Sequence, residues 1–208
     1  MLQSNVMVET MKNSNISIVI PVYNPPDLET FINKNIGELM VNQTIVIDSG
    51  GGEALRNVSS IYVQQKLSML EARQLGYSLA NEDYILNLDA DMIIPLNFIP
   101  SAKKILQNNP NVGAVSLLHR KNGKMIVHLT FGCSLWKKEL LQKFYDYNPQ
   151  KIADNNQVIC VNPSSENKKY VIVDCPFHCE CVYMWSQLAF NGYSVEFIPE
   201  IPIATHLK

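Results

Sequence analysis

Three short runs in the first half of this chain restrict its fold more than anything else in the sequence. Ile16-Ser-Ile-Val-Ile-Pro-Val-Tyr23, Thr44-Ile-Val-Ile-Asp48 and Asp83-Tyr-Ile-Leu-Asn-Leu88 are each almost continuously apolar, and each stops at polar residues. A strand that does not alternate is buried on both faces, which is the habit of parallel strands covered by helices. Between the runs lie segments of helical period. Asp27 is a cap candidate ahead of Leu28, Phe31, Ile32, Ile36 and Leu39, and Ser68 and Glu71 stand in capping-box spacing before a second helix. A third short strand is expected at Ile61 to Val63. This β-α-β-α order predicts an α/β fold with an open, mostly parallel central sheet.

In such sheets ligands bind beyond the carboxyl ends of the strands. The polar ends here are Tyr23-Asn24, Asp48-Ser49-Gly50 and Asp89-Ala90-Asp91. The last is the most telling. Asp89 and Asp91 point the same way on an extended backbone, and two carboxylates so placed repel each other unless a cation lies between them. A hard divalent ion with oxygen ligands and substrate phosphates suits that place, so the pair predicts a metal–diphosphate site. The competing reading is a solvated turn or helix cap, since Asp is common at strand-to-helix junctions.

The second half is less regular. Helices are expected over Leu96–Gln107, Trp136–Tyr145 and about His178–Asn191, and strands over Val112–Leu118, Tyr170–Val173 and Val195–Ile198. Asn122-Gly123 marks a hairpin turn. The stretch from Asn148 to Lys169, rich in Asn, Pro, Ser and Lys, reads as a long mobile loop. The expected organisation is one domain over 1–208. A ligand-binding α/β half is expected over about 14–95, a more irregular half over about 96–208, and a disordered leader over residues 1–13.

Composition narrows the function. The 208 residues are 47% hydrophobic and 17% charged, with a net charge of −2. A pI near 6.1 argues against binding nucleic acid by phosphate neutralisation. No apolar run reaches the roughly 20 residues of a membrane span, and the N-terminus lacks a secretory pattern, so a cytoplasmic location is expected. Cys175, Cys179 and Cys181 around His178 are half of a zinc pattern at best; buried reduced thiols are the simpler reading of the five cysteines.

Taken together, the motifs resemble the family 2 glycosyltransferases, which have the GT-A, Rossmann-like fold. Ile18-Val-Ile-Pro21-Val22-Tyr23-Asn24 is similar to the family's opening strand, and Val46-Ile-Asp48-Ser-Gly50 to its second, where the family more often has two adjacent acids. Ala72-Arg73-Gln74-Leu-Gly76 is similar to its Ala-Arg-Asn-x-Gly helix start. Asp89-Ala90-Asp91 matches its Asp-x-Asp motif, and Gly192-Tyr193, Pro199 and His206 its closing pattern. The likeness covers nearly the whole chain.

That resemblance implies a metal-dependent hexosyl transfer from a nucleotide-diphosphate sugar donor to a carbohydrate, protein or lipid hydroxyl, with inversion. Pro21, Val22, Tyr23 and Asn24 would line the base, and Asp48 would hydrogen-bond base or ribose. Arg73 would neutralise charge near the nucleotide, or else form a helix-surface salt bridge. Asp89, with Ala90 beside it, would face the ribose or a metal-bound water. Asp91 would ligate Mn²⁺ or Mg²⁺, with Asp89 and His206 as further metal ligands. Many relatives carry a Glu-Asp pair ahead of the Gly-Tyr, where this chain has Glu180-Cys181. The general base is then Glu180 or Asp174. The departure at Cys181 keeps a second reading open, a non-catalytic nucleotide-sugar-binding module.

Overall fold

The structure is a computed structural model that describes residues 14–23, 41–50, 61–117, 119–121, 124–126, 132–145, 157–161, 170–174, 180–198 and 205–206. Its centre is a seven-stranded sheet. In chain order the strands are β1 (Ile16–Val22), β2 (Gln43–Asp48), β3 (Ile61–Gln64), β4 (Tyr84–Leu88), β6 (Val112–Leu117), β9 (Cys133–Lys137) and β12 (Ser194–Ile198). Their spatial order is β12-β6-β9-β4-β1-β2-β3. Neighbours pair in parallel except where β9 runs antiparallel to β4 and β6. Small two-stranded ladders are added by β5 (Met92–Ile93) with β13 (Thr205–His206), β7 (His119–Lys121) with β8 (Lys124–Ile126), and β10 (Gln157–Val161) with β11 (Tyr170–Asp174).

Among the described residues four helices cover this sheet. These are α1 (Met69–Leu79), α2 (Phe98–Asn108), α3 (Lys138–Phe144) and α4 (Glu180–Phe190). On one face Leu86 and Leu88 of β4 share a core with Phe98, Ile99, Ala102 and Leu106 of α2. On the other, Ile85 and Val19 share a core with α1, with Leu140, Leu141 and Phe144 of α3, and with Met184, Trp185 and Leu188 of α4. The burial of every residue of β1, β2 and β6, and of all of β4 after Tyr84, is what their apolar runs predict for strands sandwiched between helices.

Local chemistry explains α1. Ser68 accepts from the Glu71 backbone while the Glu71 side chain accepts from Ser68, a complete capping box. Ala72 and Gly76 turn inward, and a Cβ on Gly76 would lie 2.3 Å from Cγ1 of Val19, so the glycine sets how closely α1 approaches β1. Gln74 is exposed. The change from Asn to Gln at that point of the motif therefore falls on the outer surface of the helix.

Two expectations for the second half are corrected. Trp136 does not begin a helix: Cys133 to Lys137 form β9, inserted between β4 and β6, and only Lys138–Phe144 are helical. A five-residue segment has too little length to show its period, and sheet partners on both sides decide for strand. The segment from Asn148 to Lys169 is not loop throughout, because Gln157–Val161 pair antiparallel with β11. The Val-Ile-Cys-Val run inside a polar neighbourhood supplied the strand. The helix expected over Leu28–Leu39, together with Asn24, Cys175, His178 and Cys179, lies outside the described residues.

Candidate active site

The parallel strands β1, β2 and β4 deliver their carboxyl ends to one edge of the sheet. At the end of β1, Pro21 and Val22 are buried as strand residues and Tyr23 is 69% exposed. Beside it Asp48, only 2% exposed, closes β2. One oxygen of Asp48 accepts from the Gly50 backbone at 2.8 Å, and the other accepts from the Tyr62 hydroxyl of β3. These bonds orient a carboxylate that would otherwise be costly to bury.

At the end of β4 the chain turns sharply. The Asp89 N–H donates to the Gly132 carbonyl at 3.0 Å, and the Met92 N–H returns to the Asp89 carbonyl at 3.1 Å. Asp89, Ala90 and Asp91 are all half-buried on this turn. Asp91 lies next to β5, and β13 places His206 in register with Met92, one position from Asp91. Pairing of the last described strand with β5 thus carries the C-terminal region to the Asp-x-Asp turn. Asp174 is the last residue of β11, in register with Gln157. Among the described residues no group of three or more His, Cys, Asp or Glu side chains gathers on its own around one point.

The strongest feature of the site is Arg73. It is 4% exposed, so the surface salt bridge considered for it does not occur. Its Nη2 donates to Oδ1 of Asp89 at 2.5 Å, and its Nη1 is ion-paired with Oε1 of Glu180. Glu180 opens α4, and its second oxygen accepts from the Tyr145 hydroxyl at 2.7 Å. Tyr145 is held edge-on against Tyr77, with ring centroids 4.8 Å apart. Burial pulls the Arg73 pKa down, but Asp89 foremost, then Tyr77, Tyr145 and Cys181, outweigh it, and the guanidinium is held above ordinary arginine. It stays charged wherever the protein is folded.

This arrangement narrows the roles open to two predicted residues. Asp89 has Oδ1 engaged with an arginine, and its Oδ2 lies against Gly132, where a Cβ would come within 2.5 Å. Glu180 has both oxygens engaged. Sequence reasoning missed Tyr62, Gly132 and Tyr145, because a partner far along the chain leaves no local signal. Cys133 was read as a buried thiol, and it is one: burial first, then Asp89, push its pKa well above the ordinary value.

One or two carboxylates plus phosphate oxygens is how divalent cations are commonly held, and Asp89 and Asp91 are the carboxylates at this turn that could do so. The Arg73 guanidinium already pairs with Oδ1 of Asp89 and weakens it as a ligand, which leaves that role chiefly to Asp91. The profile of the Glycosyl transferase family 2 matches residues 17–172.

The chain belongs to that family.

The matched span of this family 2 member contains Asp48, Arg73, Asp89 and Asp91, and ends ahead of Asp174, Glu180 and His206. Solved structures bear out the GT-A fold. Glucosyl-3-phosphoglycerate synthase from Mycobacterium tuberculosis, in complex with phosphoglyceric acid, is similar at TM-score 0.61 and 14% identity, over 97% of this chain and 76% of that one. The same enzyme with Mn²⁺, UDP-glucose and phosphoglyceric acid gives TM-score 0.59 at 14% identity, over 97% and 76%. The mannosyltransferase PcManGT from Pyrobaculum calidifontis, in complex with GDP-Man and Mn²⁺, gives 0.60 at 18% identity, over 89% of this chain and 55% of that one. No curated protein matches the chain.

Proposed function

We propose that this family 2 member transfers a sugar, with inversion, from a nucleotide-diphosphate donor to an acceptor hydroxyl, using Mn²⁺ or Mg²⁺. The observation that carries the reading is the fixed placement of Asp89 by Arg73 at the carboxyl edge of the sheet. That edge also holds Asp91, the oriented Asp48 and the exposed Tyr23. Tyr23, exposed at the end of β1, offers a face for the base, and Asp48 at the end of β2 is assigned to base or ribose. Asp91 is the carboxylate assigned to the cation, with His206 brought to the same edge by register. A divalent cation held there would supply the charge that offsets the leaving diphosphate. The two Mn²⁺-bound neighbours support this, since both carry nucleotide sugars.

In the reaction the acceptor oxygen bonds to the anomeric carbon as the bond from that carbon to phosphate oxygen breaks, and the acceptor proton passes to a carboxylate. Glu180 is ill suited to receive it, because one oxygen is ion-paired with buried Arg73 and the other accepts from the Tyr145 hydroxyl, so neither is open to the acceptor proton. Asp174, ending β11, is therefore assigned as the base. The acceptor is a carbohydrate, protein or lipid. No described helix is long and apolar enough to cross a membrane; the location assigned is cytoplasmic.

The test is thermal shift with UDP, GDP, UDP-glucose and GDP-mannose, each with and without Mn²⁺. A ligand of the native state raises the melting temperature. Asp91→Asn is expected to remove the Mn²⁺-dependent part of the shift, and an unchanged shift would overturn the assignment. The engagement of both Glu180 oxygens, with Cys181 beside it, favours one second reading, the binding module. Nucleotide binding with neither donor hydrolysis nor transfer distinguishes it.

A further inference from the structure

We propose that Arg73 is a positioning residue that ties the donor side of the site to the acceptor side, rather than a contact for the nucleotide. The proposal rests on the transferase reading above. It starts from topology. Asp89 lies on the turn after β4, in the half that holds the donor motifs, while Glu180 is the first residue of α4, in the other half. The chain does not bring them together by proximity in sequence. Arg73, from the second turn of α1, engages one oxygen of each.

The chemistry of the group fits a clamp. A guanidinium presents its N–H donors in a rigid fork, so two carboxylates bonded to it are fixed in angle as well as distance. Without it the two anions would repel at short range. Every member is held from behind. The capping box fixes the start of α1, the Gly132 carbonyl holds the Asp89 backbone, and Tyr145 from the end of α3 holds the far oxygen of Glu180. Arg73 is too deeply buried to reach out to a nucleotide while it keeps both partners. The clamp therefore sets where α4 begins relative to the Asp-x-Asp turn, and with it the spacing between donor and acceptor.

The experiment compares wild type with Arg73→Lys, Arg73→Met, Glu180→Gln and Arg73→Met/Glu180→Gln. Melting temperatures and steady-state kinetics are measured with UDP-glucose and GDP-mannose in Mn²⁺. Arg73→Lys keeps the charge but not the fork. It is expected to keep donor KM within about threefold while kcat falls about 10²-fold, the cost of a misplaced reacting pair. Arg73→Met is expected to lower the melting temperature, and adding Glu180→Gln to restore most of it without restoring kcat. Wild-type kcat in Arg73→Lys, or recovery of both melting temperature and kcat in the double variant, would overturn the proposal. Wild type that neither binds nor turns over any nucleotide probe would instead overturn the transferase reading. The clamp would then be judged by the melting-temperature cycle alone, where additive effects of the Arg73 and Glu180 changes would reject it.

Discussion

Gly132 has no side chain, and Asp89 occupies the room this leaves. A Cβ there would lie 2.5 Å from Oδ2 and 3.1 Å from Cγ of Asp89. The carboxylate cannot simply retreat, because Arg73 holds its other oxygen and the Gly132 carbonyl holds its backbone. Gly132→Ala is expected to cost about 1–3 kcal/mol of stability by overpacking and to reduce turnover by more than that loss explains. Denaturant melts and donor kinetics on the same variant check this, and unchanged turnover would show that Asp89 moves freely. Asn87 stands two residues before Asp89 and so on the same face of β4, 1% exposed. Among the described residues neither its Nδ2 nor its Oδ1 has a hydrogen-bond partner. An orphaned buried amide costs about 1–3 kcal/mol, so Asn87→Leu, which keeps the branched shape, is expected to raise stability by about 1 kcal/mol. A loss of stability in a urea melt would place an ordered water on the amide.

Among the elements, α1 does most to build the site, since one helix supplies both a close-packed face and the clamp. Its N-terminal box is testable. Ser68→Ala is expected to cost about 1 kcal/mol in a urea melt. Hydrogen bonds from the Ser68 side chain, then its backbone, hold the Glu71 carboxyl below its ordinary value of 4.5. A depressed carboxyl contributes stability above its unfolded pKa and loses it as pH falls through the folded one. The stability difference between wild type and Glu71→Gln is therefore expected to be flat through neutral pH and to shrink on acidification below 4.5. A difference that grows on acidification would contradict the bonding at the cap. By contrast β9 and β10 are elements made by their partners. Cys133–Lys137 would pass for the start of the helix that follows, and only insertion between β4 and β6 makes it strand.

For the molecule as a whole, the sequence by itself determined the mostly parallel sheet, the capping box that opens α1 and the polar strand ends along one edge. Strands covered on both faces must be apolar throughout, and polar residues where they end stand out against that background. The motifs Asp48, Arg73 and Asp89-Ala90-Asp91 were legible for the same reason: each is local and tied to the end or start of an element. What only the tertiary structure decided is how those residues engage one another. The Arg73 charge, read along the chain as a nucleotide contact or surface pair, lies buried between Asp89 and Glu180, and Glu180 is already held by Tyr145. Ion pairs between residues on separate elements depend on distances that folding creates, and no periodicity or spacing along the chain encodes them. The pairing of β13 with β5, which brings His206 beside the Asp-x-Asp turn, is of the same kind. It is set by backbone hydrogen bonds that any two short strands can make, so its location is a property of the fold rather than of the residues that form it.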